Sequence, residues 1–226
     1  MTSTTDPSTD RAGHADPADP ADDTAEVLPW YHSTLNLLST FVAVAVLAAG
    51  IGWVVGNNRA LPDPNDTDIG FLQDMRVHHE QAVQMALIYL RADDRDPNLS
   101  TIAREILVGQ NIEIGRFIQL LRSFGASEVN ETDIAMTWMD ESVPLDRMPG
   151  MATEDDLRAL ADADGGAADE LFVTLMTAHH QGGVHMAEHA VDHAATDEVR
   201  LMAGQIARVQ LEEITELARL LELSRA

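Results

Sequence analysis

The 226-residue sequence contains no cysteine. Disulfide frameworks, cysteine-ligated zinc or iron–sulfur sites, thiol nucleophiles and lipid-modified cysteines are therefore excluded. Aromatic residues make up only 4% of the chain, so a folded core must be built mainly from aliphatic residues and methionine. Lysine is absent as well, and all 14 basic residues are arginine. The chain has 38 acidic residues against these 14 arginines, which gives a formal net charge of −24. Nucleic acid is excluded as a partner because phosphate binding needs clustered basic residues, whereas an acidic surface attracts cations.

The N-terminal region divides into an acidic tail and one long apolar run. Residues 1–30 are rich in Asp, Ala, Thr and Pro, and we predict that this tail is disordered. Residues 34–56 carry no charge and are long enough to cross the hydrocarbon layer as a helix. Trp30 and Trp53 lie near its two ends, where interfacial aromatic residues are typical. We therefore predict one transmembrane helix.

A cleaved signal peptide is the alternative for this apolar run. It is less favoured because about thirty residues precede the run and because that segment is acidic rather than basic. The orientation in the membrane stays open, since Arg11 and Arg59 are the only positive charges that flank the run nearby.

The remainder of the chain has helical signals throughout. Residues 57–66 form a linker rich in Pro, Asn and Asp, and residues 67–226 are predicted to form a four-helix bundle of two hairpins, at about 67–125 and 166–224. The first long helix is predicted to run from a cap at Asp66, Thr67 or Asp68 to about Arg91, and the second from Pro97 to about Gly125. A short helix is predicted after a capping box at Thr153. The third long helix is predicted from about Ala168 to Ala194, and the fourth from a cap at Thr196 to Leu223.

The two hairpins resemble each other in sequence. The segment from Phe71 to His79 aligns without gaps with the segment from Phe172 to His180, and the equivalent histidines are 101 residues apart. Such a repeat predicts an approximate two-fold bundle in which the first and third long helices face each other.

At about 100° per residue, the aligned segments place paired histidines and flanking methionines on the otherwise apolar stripe of each helix. Burying imidazoles there is costly unless each finds a partner. Imidazole suits copper, zinc, iron and nickel, and thioether favours Cu(I). Two glutamates of the other helices, if they face inward, would be ligands or acceptors that orient the imidazoles. The candidate metal ligands are His78, His79, His179, His180, Met75, Met85, Met176, Met186, Glu113 and Glu213. A polar core without metal is the alternative.

The doubled Met-x-x-His-His pattern, followed each time by Met-Ala, resembles the domain of unknown function family 305. The segment from Gly150 to Leu157 and the segment from Leu175 to Ala187 are similar to the second half of that family, and the resemblance covers about residues 66–223. It implies a ferritin-like four-helix fold and a location outside the cytoplasm, and some members are similar to copper-binding proteins. Gly183 departs from the usual alanine, which loosens the helix slightly but removes no ligand.

Three further patterns each allow a functional and a structural interpretation. The methionines between the hairpins either shuttle a soft metal or fill irregular packing, with packing slightly favoured. The segment from His185 to His189 matches a zinc-peptidase pattern, but the first hairpin has no counterpart and a solvated face is favoured. A di-iron oxidoreductase site needs more carboxylates than these helices supply. The methionines concerned are Met136, Met139, Met148 and Met151.

The sequence thus predicts a single-pass membrane protein whose C-terminal domain lies outside the cytoplasm and sequesters or passes on a transition metal. Copper is favoured over iron or zinc, and no catalytic step is expected. A structural or accessory subunit of a membrane complex is the alternative function. A homodimer or a membrane-complex partner is left open.

Overall fold

The computed structural model describes residues 29, 33–58 and 63–225. The tail predicted for residues 1–30 lies outside the described residues except for Pro29. The described part is all-α, as predicted, apart from one pair of two-residue strands. The helices are α1 Thr34–Asn58, α2 Asp66–Tyr89, α3 Pro97–Phe124, α4 Glu154–Ala161, α5 Gly165–His193 and α6 Asp197–Ser224, and the antiparallel strands are β1 Ile134–Ala135 and β2 Val143–Pro144.

Helix α1 belongs to a unit of its own, which ends at Arg59. Over Thr34–Gly56 its mean hydropathy is 2.2, and none of its most apolar stretch is buried within the protein. Within the described residues it alone is long and apolar enough to cross a membrane.

The second unit holds two hairpins, α2–α3 and α5–α6, joined face to face by α2 and α5. Local signals set most helix ends. Asp96 caps α3 by accepting the backbone N–H groups of residues 98 and 99, with Pro97 in the first turn, and Gly125 ends that helix at φ 69°. Thr196 caps α6 as predicted. Asn65, rather than one of the three following residues, caps α2, and α5 begins at Gly165, three residues before the predicted start.

Two buried carboxylates link each hairpin to the turn of the other. Asp68 of α2 accepts hydrogen bonds from the backbone N–H groups of Ala195 and Thr196 and from the Thr196 hydroxyl. Asp169 of α5, at the equivalent position, accepts from the Tyr89 hydroxyl and from the Asp96 backbone N–H. The α2–α3 and α5–α6 turns are therefore each held by the opposite hairpin.

The connection between the hairpins is tied to α2 by a third buried carboxylate. Asp74 accepts the Met136 backbone N–H at 2.7 Å, the Trp138 indole N–H at 2.8 Å and the Asn130 amide at 2.9 Å. The Trp138 ring lies directly on Gly70, where an added Cβ would come within 2.3 Å of a ring carbon. This anchoring positions the segment that passes over the middle of the bundle.

Candidate metal site

All four predicted histidines lie together in the middle of the α2–α5 interface. Each is fully buried, and the His78 and His179 rings stack with centroids 3.7 Å apart and planes 30° apart. The His179 and His180 ring centroids are 6.2 Å apart. We call this group of His78, His79, His179 and His180 the histidine layer.

The two outer rings of the layer are held by the predicted glutamates. His79 Nε2 is 2.8 Å from Glu113 Oε2, and His180 Nε2 is 2.7 Å from Glu213 Oε2. Because an ionised carboxylate only accepts hydrogen bonds, each Nε2 carries the proton and donates it. About one-fifth of each glutamate side chain is exposed, so the carboxylates lie between the buried rings and solvent.

The two inner rings donate to backbone carbonyls. His78 Nε2 lies 3.1 Å from the carbonyl oxygen of Pro149, and His179 Nε2 lies 2.9 Å from that of His78. A carbonyl cannot donate, so these rings also carry their proton on Nε2. All four rings thereby carry a proton on Nε2, and Nδ1 has a lone pair in the neutral form of each ring.

None of the four Nδ1 atoms has a hydrogen-bond partner within the part of the chain that the structure describes, and all are buried. An unsatisfied buried acceptor costs about 1–3 kcal/mol. Metal-binding histidines typically donate their other ring N–H to a carboxylate or a backbone carbonyl, which is the arrangement of all four rings here. The layer therefore presents four oriented nitrogen donors.

Three rings of the layer are held in the neutral form that metals bind. Burial, with a smaller contribution from His79, lowers the pKa of His78 to about 3. Burial also lowers the pKa of His79, although the Glu113 carboxylate opposes this shift. The pKa of His179 lies well below its usual value because of burial and then because of the adjacent His78.

The four predicted methionines are fully buried but divide between two hydrophobic clusters. Met75 and Met186 belong to the cluster that also contains Phe71 and Phe117, and Met85 and Met176 belong to the other. The first cluster contains six methionines and has Met151 packed against it, so we call it the methionine-rich cluster. Its six are Met75, Met136, Met139, Met148, Met186 and Met202. Those of the inter-hairpin connection pack into the core, in line with the packing interpretation.

Across residues 29, 33–58 and 63–225, no three side chains of the His, Asp or Glu type are arranged to hold one ion. The histidine layer supplies separate nitrogen donors rather than a closed site with three such ligands. Chemically it suits an ion that accepts a small number of imidazole nitrogen ligands.

Pro149, Gly182 and the position of Gln210 beside Gly183 were not recognised in the sequence. The Pro149 carbonyl reaches His78 because its segment runs against α5, where a Cβ on Gly182 would lie 1.8 Å from that carbonyl oxygen. Gly183 gives room to Gln210, whose Oε1 would lie 2.3 Å from an added Cβ and whose amide atoms have no partner within the described residues. Two adjacent glycines in a helix are a signal of such close approach.

Two solved structures of similar proteins match most of the folded unit. A putative secreted protein from Streptomyces coelicolor is 36% identical with a TM-score of 0.65, and the alignment covers 71% of this chain and 94% of that one. A fragment from Deinococcus radiodurans is 27% identical with a TM-score of 0.61, with coverage of 71% and 99%. Both are described as DUF305 proteins.

The protein CopM, in its Cu(I)-bound form, is 27% identical with a TM-score of 0.50, and the alignment covers 69% of this chain and 95% of that one. Its Cu(II)-bound and Ag-bound forms match similarly. No curated protein matches the sequence. The profile of the family described as "Domain of unknown function (DUF305)" matches residues 68–221, and the chain belongs to this family.

Proposed function

We propose that this protein binds a transition metal, copper in preference to iron or zinc, through the histidine layer and the buried methionines around it. It does so as a membrane-anchored protein at the outer face of the cell membrane, where it sequesters copper or passes it on. The metal is cargo, and no catalytic step is proposed.

The observation that carries this proposal is the common state of the four buried rings. Each is oriented by a hydrogen bond from Nε2, and within the described residues each has a buried Nδ1 without a partner. A purely structural polar core would be expected to satisfy both ring nitrogens, because each unmet acceptor lowers stability. Glu113 and Glu213 serve as the acceptors that set the orientation of the outer rings.

The surroundings favour copper over harder metals. Thioether sulfur is a soft ligand that selects Cu(I), and the methionine-rich cluster holds six of the ten methionines of the chain. Zinc sites use four ligands, or three plus a water, and the described residues offer no such set of His, Asp or Glu. CopM, which is similar in fold and sequence, has been seen with Cu(I), Cu(II) and Ag bound.

Helix α1 is proposed as the retained membrane anchor, and the domain is proposed to lie outside the cytoplasm. The similar Streptomyces coelicolor protein is described as secreted, which supports this side of the membrane. The net charge of −24 would concentrate cations near the domain. If protease added to intact cells digests the domain, this placement is supported. If the domain is protected in intact cells but digested in everted vesicles, the placement is contradicted.

The binding proposal is tested by Cu(I) titration of the 226-residue protein in detergent micelles against a chromogenic Cu(I) chelator. The test variant changes all four histidines of the layer to Asn. The matched control changes three exposed or half-exposed histidines of α5 to Asn, namely His185, His189 and His193. We expect the parent and the control to hold Cu(I) and the still-helical layer variant to lose it. If the parent holds no copper, iron or zinc against the chelator, the protein is instead a metal-free accessory module.

A further inference from the structure

The histidine layer is covered by two different kinds of group. Its four rings are fully buried, so an ion reaches them only past the groups that cover them. The inner rings lie under residues 148–152 of the inter-hairpin connection, a segment that we call the strap. The outer rings lie under Glu113 of α3 and Glu213 of α6, which we call the carboxylate side. The strap and the carboxylate side resist opening to different degrees.

The strap is fastened through its backbone. The Gln81 side chain donates to the Ala152 carbonyl at 2.9 Å and accepts the Ala152 N–H at 2.6 Å. The Pro149 carbonyl lies 3.1 Å from His78 Nε2. A Cβ on Gly150 would lie 2.2 Å from a carbonyl oxygen of α5, so the two backbones are in direct contact. Opening this side therefore requires breaking these hydrogen bonds and separating packed backbone.

The carboxylate side is made of charged side chains instead. About one-fifth of the Glu113 and Glu213 side chains is exposed, and each accepts the N–H of an outer ring, at 2.8 and 2.7 Å. Burial lowers the pKa of His79, and both carboxylates oppose that shift, Glu113 more strongly than Glu213. The two carboxylates thus act on the same ring from different helices. Rotation of a glutamate side chain would uncover the ring beneath it without displacing any backbone.

A buried glutamine precedes each of these glutamates by one helical turn. Gln110 and Gln210 are 4% and 1% exposed. Within the described residues, Gln110 Oε1 and both amide atoms of Gln210 have no hydrogen-bond partner. The Gln210 amide lies against the α5 backbone at Gly183, three residues beyond His180. Because an unpartnered buried amide lowers stability, its presence at equivalent positions of both hairpins needs a reason other than packing.

We propose, on the basis of the metal binding proposed above, that the ion enters the histidine layer from the carboxylate side, past Glu113 and Glu213, while the strap stays closed. Gln110 and Gln210 are the inner oxygen donors of this path. An ion that leaves water needs replacement ligands, since an uncompensated charge in an apolar interior is costly. The carboxylates also attract cations and raise their rate of association. The two glutamates therefore have a role beyond orienting the outer rings.

The test measures association and dissociation separately. Cu(I) is mixed with the 226-residue protein in detergent micelles, and after a set delay an excess of chromogenic Cu(I) chelator takes up the ion that is still free. The immediate colour gives the association rate, and its slow further rise gives the dissociation rate. Repeating the series in sodium perchlorate, which screens charge and binds Cu(I) only weakly, gives the salt dependence of association.

Glu113→Gln and Glu213→Gln should each slow association by about 3–10-fold at low salt and reduce its salt dependence, because an attracting charge is lost. Glu105→Gln is the matched control. It changes the same charge at an exposed position two turns earlier on α3, and its association rate should stay within about 1.5-fold of the parent. If the glutamate variants lose affinity only through faster dissociation, the carboxylates merely orient the rings and the entry path is overturned.

Gln210→Leu separates the path from a structural role of the amide. We expect association to slow by at least about threefold, because an oxygen donor of the path is removed. The urea midpoint should stay at or above that of the parent, because an unpartnered amide gives way to an apolar side chain of similar size. An unchanged association rate with a lower urea midpoint would show that the amide serves stability and would overturn its assignment to the path.

Gln81→Leu tests the opposite side of the layer. It removes both hydrogen bonds of Gln81 to the strap and should leave the association rate within about twofold of the parent. Association that becomes faster in this variant would place the entry under the strap and overturn the proposal.

A measurement without metal distinguishes failure of the path from failure of metal binding. Diethyl pyrocarbonate modifies unprotonated imidazole nitrogens, and mass spectrometric fragment spectra give the order in which the four rings react at low extents of modification. We expect the outer rings, His79 and His180, to react before the two inner rings. Earlier reaction of the inner rings would overturn the path. A parent that reacts in the expected order but holds no Cu(I) against the chelator would instead overturn the proposed function.

Discussion

The close passage of the inter-hairpin connection over α5 makes a specific prediction about two neighbouring glycines. An alanine at Gly182 would place its Cβ 1.8 Å from the Pro149 carbonyl oxygen, which is backbone and accepts the His78 N–H. An alanine at Gly183 would instead meet the end of the Gln210 side chain, at 2.3 Å. The added methyl group therefore contacts backbone at one position and a side-chain end at the next.

The expected magnitudes follow from these contacts. Displacing backbone in a packed interior costs about 1–3 kcal/mol, and leaving the buried His78 N–H without an acceptor costs about 1–3 kcal/mol more. Replacing glycine by alanine inside a helix raises the free energy of unfolding by about 1 kcal/mol through helix propensity. We expect Gly182→Ala to lower the free energy of unfolding by about 3 kcal/mol. Gly183→Ala should change it by less than about 1 kcal/mol, because a flexible side chain without hydrogen-bond partners can shift.

The assay is urea unfolding in mild detergent, followed by Trp138 fluorescence in the Trp30→Phe and Trp53→Phe background. Helix propensity and the effect on the unfolded chain contribute equally to both alanine variants, so they cancel when the two free energies of unfolding are subtracted. Gly109→Ala, where an added Cβ meets nothing within 4 Å, should be stabilised by about 0.5–1 kcal/mol and calibrates that common term. Equal urea midpoints for the Gly182 and Gly183 variants would refute the close passage of the connection.

Three further results are expected. Glu113→Gln and Glu213→Gln should each weaken Cu(I) binding by about 10–100-fold in chelator competition while the helical circular dichroism is kept, because they remove the charged acceptor that orients a ring; unchanged affinity would argue against that role. The three buried histidines with lowered pKa values bind protons more readily in the unfolded chain, so the free energy of unfolding should be constant above about pH 6.5 and fall towards pH 3, by up to about 1.4 kcal/mol per pH unit for each ring; a urea midpoint that does not fall between pH 7 and pH 5 would contradict this. Asp68→Asn and Asp169→Asn should each lower the free energy of unfolding by about 1–3 kcal/mol in the same urea assay, and a silent variant would show that its turn is not held by the opposite hairpin.

The long helices and the inward histidines were predictable because their signals are local. Asp96 and Pro97 start α3, Gly125 ends it, and Thr196 caps α6 within a few residues of the affected backbone. The placement of His78 and His79 in the core follows from helical periodicity, which depends only on spacing along the chain.

The partners of those histidines were harder to predict because they depend on where an irregular segment crosses the bundle. No periodicity brings the Pro149 carbonyl to His78 across 71 residues, or Asp74 to Trp138 across 64. The start of α5 at Gly165 was missed because glycine disfavours a helix interior, although it is tolerated in a first turn. Glu113 and Glu213 lay on the correct face, but their bonds to Nε2 became evident only from the packed helices.

The carboxylates of Asp68 and Asp169 have a consequence for how the domain comes apart. Each closes a turn of the opposite hairpin, and their partners lie as far as 128 residues away. One hairpin therefore cannot open without leaving a buried charge of the other exposed or unpaired. The two hairpins should melt as a single cooperative unit rather than one after the other. A protease cut within residues 126–150 should consequently leave the two fragments associated, and release them only at the denaturant concentration that unfolds the whole domain.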